Sequence, residues 1–166
     1  MDADEEGFTQ WARARQQTLL RTALLLTGER HRAEDLVQDA LAAVAARWRR
    51  LHDGNPEAYA RQVIVRGNIS WWRKHRREIT VEDVAERPDA HGDGTDRRLL
   101  LDHALASLTP RQRAVVVLRY YADLTERDTA ETLGVSVGTV KSQTHLALRR
   151  LREAAPELAE LIGDPT

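Results

Sequence analysis

The chain contains no cysteine, which excludes disulfides, thiolate nucleophiles and Cys-based zinc sites and fits a reducing compartment. No charge of one sign dominates. The 25 Lys and Arg residues face 26 Asp and Glu, for a formal net charge of −1, so any surface for nucleic acid must be local. Long hydrophobic runs are also missing: Ala23–Leu26 and Ala114–Leu118 fall far short of the roughly 20 residues that cross a bilayer. The N-terminal MDADEEGF is acidic where a secretory leader is basic. No membrane contact is expected, and the default location is cytoplasmic. Aromatics make up 5% of the 166 residues and hydrophobic residues 42%, enough for one or two small cores and too little for a large multidomain enzyme.

What is present is helical periodicity. Trp11, Leu19, Leu20, Ala23, Leu24 and Leu26 predict a helix from about Phe8 to Thr27, stopped by Gly28. Ala33, Leu36, Val37, Ala40, Leu41, Val44 and Trp48 form the apolar stripe of a second helix reaching about Arg49, with Asp35, Gln38, Asp39 and Ala42 on its other face. Asn55-Pro56 supplies an N-cap and a first-turn proline for a third, from Pro56 to about Arg77, with Tyr59, Val63, Ile69 and Trp72 as its buried side. Gly67 within it points to a close backbone approach or a local bend.

Residues 79–96 carry acids with Pro88, Gly92, Gly94 and little periodic apolar content, and read as an acidic flexible linker. Such a segment is either solvated or laid on basic surface. Beyond it come Leu101, Ala104, Leu105 and Leu108, then Thr109-Pro110-Arg111-Gln112, a capping box with proline at the first helical position. The helix from Pro110 to about Ala122 is expected to bury Ala114, Val117, Leu118 and Tyr121. Thr125 and Asp128 cap a short helix ending at Leu133, and Gly134 ends it. Ser136 caps the next, which buries Val140, Thr144, Ala147, Leu148 and Leu151. No period-two pattern occurs, so the fold class is all-α: two small helical domains, 1–78 and 97–166, joined by the 79–96 linker.

Residues 126–145 read as short helix, three-residue turn and helix, with Ala130 small at the helix contact, Gly134 permitting the turn, and Leu133, Val135 and Val140 locking the pair. This is a helix-turn-helix. An ordinary αα-hairpin would share the packing but has no need for Lys141, Ser142 and His145 on one face. Thr139, Lys141, Ser142 and His145 are placed to meet base edges or phosphates, with Arg149 reaching backbone further along. His145 is also compatible with a solvated surface imidazole.

The basic segment 61–77 differs in kind, because Arg66, Asn68, Trp71, Trp72, Arg73, Lys74, Arg76 and Arg77 interleave cations with aromatics and an amide. Unstacked single strands are held by such cationic tracks and rings. Adjacent Trp71 and Trp72 lie about 100° apart on a helix and cannot both face one core. Either one indole reaches the surface, or Trp72 is core and Trp71 a partly covered rim residue.

The strings LLLTGERHRAEDLVQDALAAVAARW, VRGNISWWRKHRR and LTPRQRAVVVLRYYADLTERDTAETLGVSVGTVKSQTHLALRRLR together resemble bacterial extracytoplasmic-function (ECF) sigma factors, of the sigma-70 family of RNA polymerase subunits. The resemblance covers nearly the whole chain in order: a region 2 module, an acidic linker and a region 4 module. It implies a factor that directs core RNA polymerase to promoters and initiates transcription. Region 2 would dock on the β′ clamp through Asp35, Gln38 and Asp39 and capture the melted minus-10 strand through Arg66, Asn68, Trp71, Trp72, Arg73 and Lys74. Region 4 would read the duplex minus-35 element through Thr139, Lys141, Ser142, His145 and Arg149 and touch the β flap. Family members are commonly held inactive by an anti-sigma factor. Gln143 and Thr144 stand where many members have Arg and Leu.

Two other classes share parts of this pattern. A stand-alone helix-turn-helix regulator shares the pattern of 109–152 but has no use for the Trp-containing basic helix. An enzyme would have to build on His31-x-x-Glu34-Asp35, which lacks companion ligands. No catalytic activity, cofactor or metal is expected, and the tail from Ala155 reads as a frayed helix in preference to a small regulatory extension.

Overall fold

The computed structural model describes residues 2–76 and 96–158; the acidic stretch 79–96 lies outside them except for Asp96. Helix α1 (Ala3–Thr27) begins five residues before the predicted start, because Asp4, Glu5 and Glu6 complement the positive end of the helix dipole. It ends where expected, at Gly28, whose φ of 68° is left-handed. Helix α2 (Arg30–Ala46) is capped by the Glu29 carboxylate, which accepts from the His31 and Arg32 amides at 3.0 and 3.2 Å. It stops short of the predicted Arg49. The chain breaks at Arg47 and restarts as a single turn, α3 (Trp48–Leu51). That break seats the Trp48 ring against Phe8 and Trp11, with centroids 5.7 and 5.9 Å away, a contact that an uninterrupted helix does not encode.

Helix α4 (Pro56–His75) starts at the predicted Asn55 cap, where Oδ1 accepts from the Ala58 amide at 2.9 Å. Its buried side is one step round from the expected one. Ala60, Ile64, Val65 and Asn68 are buried, while Tyr59, Val63 and Ile69 flank the core and Trp72 is half-buried. Small residues explain the shift. A Cβ at Gly67 would lie 3.0 Å from a Leu36 methyl, so α4 lies so close to α2 that only a glycine fits without displacement. The close approach foreseen for Gly67 is therefore present.

In the second module, α5 (Asp96–Ala106) precedes α6 (Pro110–Val116), whose Thr109–Gln112 capping box is complete at 3.3 and 3.2 Å. The predicted α-helix to Ala122 is not continuous: Val117–Tyr121 winds as a π-helical turn. Each π turn takes up an extra residue, which carries Tyr121 out of the core to 45% exposure instead of burying it. Helix α7 (Glu126–Leu133) follows a Thr125 cap, and Gly134 turns the chain at φ 68° into α8 (Val137–Ala154), capped by Ser136. Thr144 is half-buried, not buried, and satisfies its hydroxyl on the Val140 carbonyl at 2.7 Å. Val115, Ala130 and Val140 lock α7 to α8, and a further cluster joins Leu105 and Leu108 to Leu148, Leu151, Ala155 and Leu158. Ala155 and Leu158 are thus packed. No strand occurs among the described residues.

The modules are joined. Leu19, Ala23 and Leu26 of α1 belong to the same buried cluster as Ala114 of α6 and Val117 and Leu118 of the π turn, while α4 lies along α6 and α7.

Candidate nucleic-acid interface

Helix α8 presents the predicted recognition face. Lys141, Ser142, His145 and Arg149 are exposed, and Thr139 is half-buried. The Ser136 hydroxyl that caps the helix accepts from the Thr139 amide at 3.1 Å, and the two hydroxyl oxygens lie 2.9 Å apart. Ser142 Oγ donates to the Thr139 carbonyl at 3.1 Å. Both cations rest on carboxylates: Lys141 Nζ is 3.8 Å from Glu126 Oε2, and Arg149 Nε is 4.0 Å from Glu153 Oε1. These are loose pairs at the surface, worth about 0.2–1 kcal/mol each, so a phosphate can replace the carboxylate at little cost.

Two apolar residues share this exterior that the sequence did not single out. Val137 is 39% exposed and Leu146 38%. Val137 stands three positions before buried Val140, so periodicity alone assigns it to the core. A helical side chain lies over the turn preceding its own Cα, and in the first turn of α8 no such turn exists. Leu146 sits about 200° from buried Leu148 around the helix, which is the signal that could have marked it as outward.

The α4 residues divide. Arg73 and Lys74 are exposed. Asn68, 1% exposed, is turned inward, its Oδ1 accepting from Arg32 Nη2 at 2.5 Å; here it ties α4 to α2. The same guanidinium lies 3.6 Å from the Trp71 ring centroid and 5.3 Å from that of Trp72. His75 stacks on Trp71 at 4.3 Å with a 12° tilt, and Trp71 meets Trp72 edge-on at 5.2 Å. Both tryptophans are half-buried, so of the two arrangements open from the sequence the structure has neither indole fully in a core. Trp71 already carries two stacking partners that a base would have to rearrange. Arg66 extends across to the other module. Its Nε donates to the Thr132 carbonyl at 3.0 Å and its Nη2 to the Glu131 carbonyl at 3.1 Å, at the negative end of the α7 dipole.

Asp35, Gln38 and Asp39 are all exposed on α2. Glu34, the carboxylate paired with His31 in the sequence, is engaged by Arg30 at 2.8 Å. Among the described residues no group of three or more His, Asp or Glu could hold a metal ion, and no helix is long and apolar enough to cross a membrane.

Residues 11–78 match the family model for sigma-70 region 2, and residues 98–151 that for sigma-70 region 4. The RNA polymerase sigma-E factor of Streptomyces coelicolor is 43% identical over 150 residues, covering 88% of this chain and 84% of the relative. The ECF RNA polymerase sigma factor SigL of Mycobacterium tuberculosis is 34% identical over 149 residues, covering 84% of each. Among solved structures, the sigma factor RpoE of Bartonella quintana, crystallised with the anti-sigma factor NepR, superposes with a TM-score of 0.70 at 28% identity. That match covers 89% of this chain and 95% of the other, and so includes residues of both modules.

Proposed function

Since this chain belongs to the ECF sigma factors of the sigma-70 family, a factor that directs core RNA polymerase to promoters, we propose which of its residues carry each part of that work. Residues 1–78 act as region 2 and 97–166 as region 4, with 79–96 linking them. Thr139, Lys141, Ser142, His145 and Arg149 meet the duplex minus-35 element, and exposed Val137 adds an apolar contact of the kind that suits a thymine methyl. Arg66, Trp71, Trp72, Arg73 and Lys74 line the path of the melted minus-10 strand, with Asn68 bracing the helix that carries them. Asp35, Gln38 and Asp39 face basic groups of the β′ clamp.

The observation that carries this reading is the outer face of α8, where a lysine, a serine, a histidine and an arginine stand exposed on the second helix of a helix-turn-helix. The free protein is nearly neutral, so most of its hold on DNA comes from the assembled holoenzyme. It works in the cytoplasm as an initiation subunit without catalytic chemistry, and a protein covering these faces would act as its anti-sigma factor. The stand-alone regulator reading loses its footing, because the first module matches sigma-70 region 2.

The test is run-off transcription with purified core polymerase on pooled genomic fragments, with start sites sequenced. New starts sharing two spaced elements are expected. Lys141→Ala and His145→Ala should alter the upstream element while core binding persists, whereas Asp35→Ala with Asp39→Ala should weaken core binding and leave the preference of the residual complex unchanged. Loss of core binding by the α8 variants would refute the assignment.

A further inference from the structure

The groups stacked at the end of α4 are not held equally firmly. Asn68, Trp71, Trp72 and His75 recur at three- and four-residue steps and so form one stripe of the helix. Arg32 of α2 lies against this stripe. Its guanidinium carbon is 3.6 Å from the Trp71 ring centroid, and its Nη2 donates to Asn68 Oδ1 at 2.5 Å. That side chain is pinned at two points, one of them an acceptor residue only 1% exposed. Trp72, edge-on to Trp71 at 5.2 Å, restrains the indole from turning. Trp71 is therefore a fixed platform, half-buried beside a cation that favours its π surface.

His75 is the loose member. It is the last residue of α4 and half-buried, in the terminal turn where helices fray. Its imidazole lies nearly parallel to the indole, 4.3 Å away with a 12° tilt, and its Nδ1 is 2.8 Å from the Trp71 carbonyl oxygen. Both contacts are local to one turn of the helix. An imidazole is itself one ring of a purine, so His75 covers Trp71 as a flat heterocycle in the arrangement that a nucleobase adopts on an aromatic side chain. Nearby Arg73, Lys74 and Arg76 are exposed, and no acid occurs between residues 61 and 77. The phosphates flanking a base seated here would meet cations.

We propose that Trp71 carries a nucleobase subsite and that His75 is its resident surrogate. An unstacked base of single-stranded DNA displaces the imidazole and stacks on the indole, while Arg32 and Asn68 hold the indole in place. The magnitudes favour the exchange. A base on an aromatic side chain strengthens binding about 5- to 150-fold, against about 2- to 12-fold for a pair of aromatic side chains. Duplex DNA, whose bases stay stacked on one another, has nothing to put in place of the imidazole and leaves His75 where it is. The subsite thus discriminates melted from paired DNA. The proposal rests on the assignment of α4 to the melted minus-10 strand and adds the residue that a base must displace there.

The test uses holoenzyme and a fork version of a promoter found by start-site mapping, its minus-10 strand left unpaired, with binding read by fluorescence anisotropy. Circular dichroism checks that each variant keeps its helices. His75→Ala uncovers the platform and should tighten fork binding about 2- to 12-fold, with no change on a duplex fragment holding the upstream element alone. His75→Phe keeps a ring on the indole and should give no gain. Replacing the melted-strand bases one at a time by abasic residues should identify a position at which the gain of His75→Ala disappears. Unchanged or weaker fork binding by His75→Ala, an equal gain from His75→Phe, or a gain that survives every abasic replacement would each overturn the subsite. The promoter assignment fails by a different result, if Arg73→Ala with Lys74→Ala binds the fork as tightly as the wild type. Weaker binding by that double variant, with no gain from His75→Ala, would keep the assignment and refute the surrogate.

Discussion

Glu126 offers a quantitative handle on how α8 meets DNA. It sits in the first turn of α7 and holds Lys141 Nζ at 3.8 Å, with Lys141 exposed and Glu126 half-buried. Binding a phosphate at Lys141 must exchange this carboxylate for the phosphate oxygen, and this loose pair is worth about 0.2–1 kcal/mol. Glu126→Gln removes that competition and leaves the recognition helix intact, so holoenzyme should bind its minus-35 duplex about 1.4- to 5-fold more tightly. The helix dipole loses an acidic partner, which costs α7 about 0.3–1 kcal/mol of stability and does not reverse the sign for DNA. Fluorescence anisotropy of a labelled promoter fragment, titrated with holoenzyme at several salt concentrations, reads both affinity and salt slope. In the Lys141→Ala background the same change should have much less effect, because the coupled pair no longer exists, and Lys141→Ala alone should lower the salt slope by about one if Lys141 meets a phosphate. Weaker binding by Glu126→Gln, or an equal gain with and without Lys141, would refute the exchange.

Asn68→Ala should destabilise the fold by about 1.5–3 kcal/mol, since it deprives Arg32 of a buried acceptor 2.5 Å away; urea unfolding measures this, and a change below about 0.5 kcal/mol would show the contact to be dispensable. Gly134→Ala places a Cβ at φ 68° and should cost about 1–2 kcal/mol, seen as a lowered Tm with weakened minus-35 binding. An unchanged Tm would mean that the turn relaxes without it.

The elements that were legible in the sequence are those whose cause is local. Thr109 with Gln112, Thr125, Ser136 and Asn55 cap their helices where they were expected, because a cap depends on residues within one turn of it. Ala130, Gly134 and Val140 specify the helix-turn-helix in the same way. Misplaced elements have distant causes. The stop at Arg47 belongs to the Phe8–Trp11–Trp48 ring cluster, and the inward turn of Asn68 belongs to Arg32, thirty-six positions earlier. The outward swing of Tyr121 follows from a π turn that leaves no mark in apolar spacing.

By itself, then, the sequence determined most of the helices and their caps, the helix-turn-helix and the family, since hydrophobic period and capping chemistry are written in neighbouring residues. Only the tertiary structure decided what the cations do in the free protein. Arg66 reads in sequence as a nucleic-acid contact and Arg113 carries no local signal, yet one holds carbonyls sixty-five and sixty-six positions away and the other a carbonyl eighty-eight away. A long flexible side chain takes whatever acceptor packing brings within reach, and which acceptor that is depends on the meeting of two helices and on no local pattern.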